Sequence, residues 1–110
     1  MRVTISQRGE VKVLSLAGRL DAGSAPQVEP QVRELLNAGE GKLLLDLREV
    51  DYLSSAGLQI LLLAAKRLEA GGGRLVLCGA GPYVLEVLQV TGLAPLFEME
   101  PDCEQALERF

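Results

Sequence analysis

The stretch Lys42-Leu43-Leu44-Leu45-Asp46-Leu47 is a short, almost uninterrupted apolar run. Such runs are typical of central strands in a sheet that helices cover, because these strands are buried on both faces. Arg74-Leu75-Val76-Leu77-Cys78-Gly79 is a second run of the same kind. Between them, a helical pattern extends from Ser54-Ser55-Ala56-Gly57 to about Ala70. The order strand, helix, strand predicts parallel strands joined by a right-handed crossover.

The first residues predict a β-hairpin. Val3 and Ile5 alternate with polar residues, as in a half-buried strand. After a turn that contains Gly9, the stretch from Val11 to Ala17 also has the character of a strand. Two strands with a short glycine-containing link are typical of a hairpin. A loop is expected after them, from Gly18 to Gly23.

A first helix is expected after this loop. Ser24 is placed to cap it, with Gln27 three residues later as the capping-box partner. Pro30 interrupts the pattern, because an interior proline removes a backbone hydrogen bond. The helix should therefore either kink or begin its regular part near Glu29.

The last third of the chain predicts two more helices and an edge strand. Pro82 suits the first turn of a third helix, which Gly92 closes. The stretch from Leu96 to Met99 fits a short edge strand, and Asp102 with Gln105 would cap a last helix. The order ββαβαβαβα predicts an α/β fold in a single domain. We expect a mixed sheet of four to five strands with an N-terminal hairpin, parallel central strands and about four helices.

The composition excludes several kinds of active site. The chain has no histidine, which excludes a Ser-His-Asp or Cys-His catalytic site. Two cysteines alone cannot close a structural zinc site. The net charge is −4 and no basic stripe occurs, which argues against nucleic acid and anionic membrane surfaces as partners. We therefore expect a protein that is not an enzyme and holds no metal or cofactor.

The cysteines and the apolar runs also bear on location. Cys78 lies in an apolar run and is expected to be a small core residue, whereas Cys103 lies in a polar tail. Nothing in their spacing pairs them, so a reducing cytosol is the simpler inference. The first residues do not form the apolar block of a signal peptide, and no run approaches the about 18 apolar residues of a membrane span. A cytoplasmic protein without direct membrane insertion is expected.

Two further motifs are incomplete as ligand sites. Gly79-Ala80-Gly81-Pro82 follows a strand and opens a helix, but Val84 stands where a dinucleotide fingerprint has its third glycine. A tight turn is favoured there. Asp46, Glu49 and Asp51 lie around the end of a strand but lack the spacing of a calcium loop. A solvated rim is favoured over a metal site.

The stretch Ser54-Ser55-Ala56-Gly57 starts a helix directly after a strand. One serine oxygen suffices to cap the free backbone N–H groups at that point. The other hydroxyl lies near the positive end of the helix dipole, where an anion is well tolerated. Capping and turn formation are the ordinary interpretation. The alternative is a phosphorylation site, where a phosphate would add about −1.5 to −2 charges without disrupting the fold.

The helix after these serines is more apolar than one buried face requires. Its core stripe contains Leu58, Leu61, Leu62, Ala65 and Leu68. Ile60, Leu63 and Ala64 lie beside or outside that stripe. Either a neighbouring helix or loop covers them, or they form an exposed patch that docks a partner next to the serines.

Five short pieces of the sequence, taken in order, resemble the STAS domain, the fold of anti-sigma factor antagonists. The pieces are Leu16 to Asp21, Leu43 to Leu47, Val50 to Leu58, Gly72 to Cys78, and Val90 to Leu93. Each piece is short, but the resemblance extends over essentially the whole length of the chain. The resemblance therefore implies one STAS domain over residues 1–110.

The resemblance also implies a function. In that family an antagonist binds an anti-sigma factor that is also a serine kinase, which frees the sigma factor, and phosphorylation of one serine at a helix start breaks the complex. An ungapped match places that serine at Ser55, with Ser54 as the second choice. The implied partner contacts are Arg19, Asp21, Ser24, Ser54, Ala56, Gly57, Ile60 and Leu63.

One departure from the family pattern keeps a second function open. The family usually has an aspartate where this chain has Ser54. An accessory STAS subunit of a lipid transporter or of a stress-signalling assembly, without a phosphorylation switch, is therefore an alternative. A weak homodimer is a further possibility. A small-ligand binder is a third alternative, which only the incomplete glycine turn at Gly79-Ala80-Gly81 supports.

Overall fold

A computed structural model describes residues 1–110 as one mixed sheet with helices on both faces. Its elements in chain order are β1 (Arg2–Arg8), β2 (Val11–Leu20), α1 (Ala25–Asn37), β3 (Lys42–Leu53), α2 (Ser55–Ala70), β4 (Arg74–Cys78), α3 (Pro82–Val90), a 3-10 turn (Ala94–Leu96), β5 (Glu98–Glu100) and α4 (Cys103–Leu107). The predicted order of strands and helices is confirmed. None of the helices combines the length and the apolarity needed to cross a membrane.

The sheet has five strands in the order β1-β2-β3-β4-β5. β1 and β2 form the antiparallel hairpin, and every other neighbouring pair is parallel. Leu43 of β3, for example, lies opposite Lys12 of β2 and Leu75 of β4. The predicted α/β class, with an N-terminal hairpin and parallel central strands, is confirmed.

The central strand β3 contributes side chains to both faces of the sheet. Leu43, Leu45 and Leu47 belong to the main core, which α1, α2 and α3 cover. Leu44 points to the opposite face, where it packs with Val76 and with residues of α4. The apolar run at the start of β3 is uninterrupted because successive side chains enter two different cores.

Two strands are longer than the sequence predicts. β2 continues to Leu20 and β3 to Leu53, so the expectation of a loop from Gly18 is wrong. Pairing between the two strands is irregular around Gly18, whose φ of +115° is accessible mainly to glycine. In the second half of β3 only Val50 and Leu53 are buried, and the residues around them, such as Asp51, are exposed or half-buried.

The capping box predicted for α1 is wrong. Ser24 precedes the helix, but its hydroxyl donates to the Arg19 carbonyl at 2.7 Å and accepts from the Asp21 N–H at 3.0 Å. Its side chain therefore holds the preceding loop and makes no cap hydrogen bond. The helix begins at Ala25, not near Glu29, and continues through Pro30.

The two cysteines form a disulfide, which corrects the expectation that they are unpaired. β5 runs parallel to β4, and the chain then crosses the face on which Leu44 lies. This path brings Cys103, the first residue of α4, over Cys78 at the end of β4. A separation of 25 residues gives no hint of the contact, because it depends on where the short strand β5 pairs. The inference of a reducing cytosol, which depended on the two cysteines being unpaired, therefore loses its support.

Candidate functional site

The predicted site residues gather at the edge of the sheet where β2 and β3 end. Leu20 and Leu53 are the last residues of these strands and lie opposite each other. The Ser54 N–H donates to the Leu20 carbonyl at 3.0 Å. The loop after β2 and the start of α2 are therefore joined by backbone contacts, and we call this region the strand-end surface.

The two serines at the start of α2 have different roles. Ser54 is the N-cap, and its hydroxyl accepts a hydrogen bond from the Gly57 N–H at 3.5 Å. The Ser54 carbonyl accepts from the Leu58 N–H at 2.8 Å. Ser55 is the first helical residue and is exposed. The prediction that one serine caps the helix is confirmed, and the cap leaves the Ser55 side chain at the surface near the positive end of the helix dipole.

Gly57 is a packing residue. It is buried, and a Cβ added there would lie 2.5 Å from the Leu20 carbonyl oxygen and 2.7 Å from the Leu20 Cγ. Only glycine lets α2 approach the end of β2 this closely. Because Gly57 is buried in this way, the structure argues against the direct partner contact predicted there.

The loop after β2 is held by its own polar groups. The Asp21 carboxylate accepts from the N–H groups of Gly23 and Ser24 at 3.0 and 3.1 Å, and Arg19 Nε lies 3.4 Å from it. The hydrogen bond from the Ser24 N–H and the Arg19 guanidinium hold the pKa of Asp21 below its ordinary value, against the effect of desolvation. Ser24 is only 9% exposed, so it positions the loop and is not the partner contact that the sequence predicts.

An aromatic stack borders the same surface. The Arg19 guanidinium carbon lies 3.9 Å from the centroid of the Tyr52 ring, within the range of a cation–π contact. The Tyr52 ring stacks on Tyr83, with centroids 5.4 Å apart and the planes inclined by 19°. Tyr83, at the start of α3, is 44% exposed. This stack extends the strand-end surface from the end of β2 to α3.

Tyr52 and Tyr83 are site residues that the sequence did not predict, although a signal was present. Both follow or lie near the carboxyl ends of parallel strands, and such ends meet at one edge of a sheet. Two of the four aromatic residues in the chain therefore converge there.

The apolar excess of α2 is explained mainly by burial. Ile60 is 3% exposed and Ala64 is fully buried, and α2 packs against α1. The interpretation of Ile60 as a partner contact is therefore wrong, because the residue belongs to the main core. Ala56 and Leu63 are half-buried and lie seven residues apart, on one outward side of α2. Of the predicted patch Ile60, Leu63 and Ala64, only Leu63 reaches the surface, and Ala56 was predicted separately as a partner contact.

A second polar group lies near the disulfide. Asp46 is 8% exposed, and its carboxylate accepts from the Arg48 guanidinium at 2.7 and 3.0 Å and from the Ser15 hydroxyl at 3.4 Å. Burial raises the pKa of Asp46, but the hydrogen bonds and charge of Arg48 outweigh it and hold the pKa below its ordinary value. An Asp46 oxygen and the sulfurs of Cys78 and Cys103 lie within 4.8 Å of one another. Since the sulfurs are bonded to each other, they are not thiolate ligands in this state.

Comparison with known proteins gives consistent matches over the whole fold. A family model described as STAS domain matches residues 2–106. The chain is 34% identical, over 110 residues, to a Bordetella bronchiseptica protein named as an anti-sigma factor antagonist, BtrV. The match covers all of this chain and 95% of that relative.

Solved structures agree with this match. An anti-sigma factor antagonist from Mycobacterium paratuberculosis superposes with a TM-score of 0.90 at 27% identity, covering 98% of this chain and 92% of that one. The phosphorylated form of Bacillus SpoIIAA gives a TM-score of 0.76 at 24% identity, with 98% of each chain covered. The second likeness concerns the fold alone.

Proposed function

The chain belongs to the STAS domain family, and we propose on that premise that it is an anti-sigma factor antagonist. Its partner is an anti-sigma factor that is also a serine kinase, and binding releases the sigma factor. The protein catalyses no reaction of its own. In this role it acts in the cytoplasm, binds no nucleic acid and inserts into no membrane. The whole-length relative named as an antagonist supports the proposal.

The observation that carries the proposal is the division of roles between two neighbouring serines. Ser54 is occupied by the helix cap, whereas the Ser55 side chain is exposed. Ser55 is therefore the phosphate acceptor, and Ser54 is the second choice. A phosphate on Ser55 lies at the start of a 16-residue helix, where the N–H groups and the dipole tolerate added negative charge.

The surroundings of Ser55 explain how a phosphate would break the complex. Half-buried Ala56 lies next to Ser55, half-buried Leu63 lies about two turns further along α2, and Arg19 and Tyr83 border the same edge. A partner seated on this surface must exclude water from Ser55. A phosphate there would have to be desolvated, which costs several kcal/mol, and a loss of about 4 kcal/mol weakens binding about a thousandfold.

Phosphorylation can be tested directly. Wild type, Ser54→Ala and Ser55→Ala are incubated with each anti-sigma factor kinase encoded in the source genome and Mg·ATP, and intact masses are recorded. We expect one phosphate on wild type and on Ser54→Ala and none on Ser55→Ala. Equal labelling of wild type and Ser55→Ala would contradict the assignment to Ser55.

A second function is favoured by one sequence feature. Ser54 stands where the family usually has an aspartate, and the structure commits its hydroxyl to the helix cap. An accessory subunit of a lipid transporter or stress-signalling assembly would need no phosphate acceptor. Affinity capture from native cells separates the two: an anti-sigma factor kinase among the captured proteins supports the first function, and a transporter ATPase supports the second.

A further inference from the structure

The second face of the sheet is covered by a very small part of the chain. Its apolar cluster contains Val11, Val13, Leu44, Val76, Cys78 and Ala106, with Cys103, Leu107 and Phe110 packed against it. All members outside the sheet come from residues 103–110. The five-residue helix α4 and the end of the chain therefore form the whole cover of this face, which we call the C-terminal cover.

Few noncovalent contacts hold the C-terminal cover in place. A helix of five residues is not stable alone, because nucleation is costly and few hydrogen bonds repay it. Arg8 pairs with Glu104 at 3.3 Å, and Arg109 pairs with Glu100 at 2.7 Å and with Glu98 at 3.1 Å. These pairs are partly or largely exposed and contribute little. The one covalent tie to the sheet is the disulfide from Cys103 to Cys78.

We propose that the Cys78–Cys103 disulfide is a redox-controlled latch: oxidised, it holds the C-terminal cover on the sheet, and reduced, it lets the cover open and expose the apolar face beneath. Cys103 is the sulfur that a reductant attacks. This inference does not rest on the proposed function, because neither cysteine belongs to the strand-end surface.

The geometry makes the two sulfurs unequal. Cys103 is half-buried and lines an open cleft of about 190 Å³, together with Asp46, Arg48 and Asp102. Cys78 has no exposed surface and does not line that cleft. An incoming thiolate therefore reaches Cys103 first, and accessibility of this kind governs which sulfur is attacked.

The exchange needs two equivalents of a low-molecular-weight thiol. One thiolate attacks Sγ of Cys103, the S–S bond breaks, and its electron pair leaves on Sγ of Cys78. A second thiolate attacks the reductant's sulfur in the mixed disulfide and releases Sγ of Cys103. The two cysteines gain two electrons and two protons, and the two reductant thiols lose them and end as one disulfide.

Hydrogen exchange measured by mass spectrometry tests the latch. Wild type is compared oxidised and after reduction with tris(2-carboxyethyl)phosphine, alongside Cys103→Ser and the Cys78→Ala/Cys103→Ala double variant. We expect exchange over residues 103–110 to accelerate at least about tenfold on reduction and to become far faster than exchange in β3 and β4, which open only when the whole chain unfolds. Cys103→Ser should match reduced wild type, and the double variant should not respond to the reductant. Equal exchange in both states, or residues 103–110 that remain as protected as β3 and β4 after reduction, would overturn the proposal.

Thiol mapping tests the chemistry. Aerobically purified protein is alkylated in denaturant, with and without prior reduction, and a second sample is treated briefly with reduced glutathione and quenched in acid before peptide mapping. We expect both thiols to be blocked before reduction and the glutathione adduct to lie on Cys103. Free thiols in the untreated protein, an adduct on Cys78, or a disulfide that excess glutathione leaves intact would each overturn it.

Discussion

The two faces of the sheet are stabilised in different ways. On one face α1, α2 and α3 enclose a cluster of 20 buried residues. On the other, a five-residue helix covers a cluster of 6 and is tied to the sheet by a disulfide. We call these the thick face and the thin face. The thick face is stabilised by apolar burial. The five-residue helix α4 buries too little apolar area to do the same, so the thin face depends on a covalent bond that lowers the conformational entropy of the unfolded chain.

Because the two faces are stabilised differently, a charge added at the strand-end surface and a change at the disulfide should affect the protein differently. The strand-end surface lies where the helices of the thick face begin, so a charge added there changes the surface without disturbing the core. On the thin face few apolar contacts hold residues 103–110, so breaking the disulfide makes these residues less ordered. Substitutions on the two faces should therefore differ both in what they change and in how much unfolding free energy they cost.

The largest effect is expected on the thick face, from Ile60→Asp. Ile60 is 3% exposed, and an unpaired carboxylate in its place should cost more than about 4 kcal/mol of unfolding free energy. Urea unfolding followed by circular dichroism measures it, with Ile60→Val, expected to cost about 1 kcal/mol, as a folded reference. Leu63→Asp is the matched control on the outward side of α2 and should cost much less. Similar losses for the two aspartate variants would contradict the assignment of Ile60 to the core.

On the thin face, Cys103→Ser should lower the unfolding free energy by about 3 kcal/mol, because the disulfide closes a loop with a sequence separation of 25. Urea unfolding under non-reducing conditions measures the loss. Reduced wild type should lose a similar amount, and adding a reductant to the variant should change nothing further. A variant as stable as oxidised wild type would show that packing, not the bond, holds this face.

The sequence predicted the thick face well and the thin face poorly, for physical reasons. Apolar periodicity reports which side chains of α2 or β3 face a core, so element order and sheet class followed from it. It does not report which neighbour covers a residue, which is why Ile60 was assigned to a partner surface. The disulfide depends on tertiary approach across β5, and no local pattern encodes that approach.

The site showed the same division. The cap at Ser54 follows from local rules for helix ends and was predicted. The buried positions of Ser24 and Gly57 depend on how closely the β2 loop approaches α2, and the sequence did not predict them. The stack of Tyr52 on Tyr83 joins residues 31 positions apart and was missed for the same reason.

The stability of the protein should also depend on pH through Asp46. Because Arg48 holds the folded-state pKa of Asp46 below the unfolded value, the ionised carboxylate stabilises the fold above the unfolded pKa. That contribution is lost as pH falls through the folded-state pKa, below about pH 4. Unfolding free energies at pH 7 and pH 3 should show a drop in wild type that is smaller, by about 1–2 kcal/mol, in Asp46→Asn. Equal drops in wild type and Asp46→Asn would contradict the role of this carboxylate.

The smallest change in stability is expected at the start of α2, from Ser55→Asp. An acidic side chain at the first helical position interacts favourably with the dipole, so the unfolding free energy should rise by about 0.3–0.5 kcal/mol or stay level. Ser54→Ala, one position earlier, removes the cap and should lose about 1 kcal/mol. Thermal unfolding of both variants and of wild type measures whether the two changes in unfolding free energy have opposite signs. If Ser55→Asp destabilised the fold as much as Ser54→Ala, a phosphate on Ser55 would disturb the thick face itself, and the contrast between a surface charge there and a structural bond on the thin face would fail.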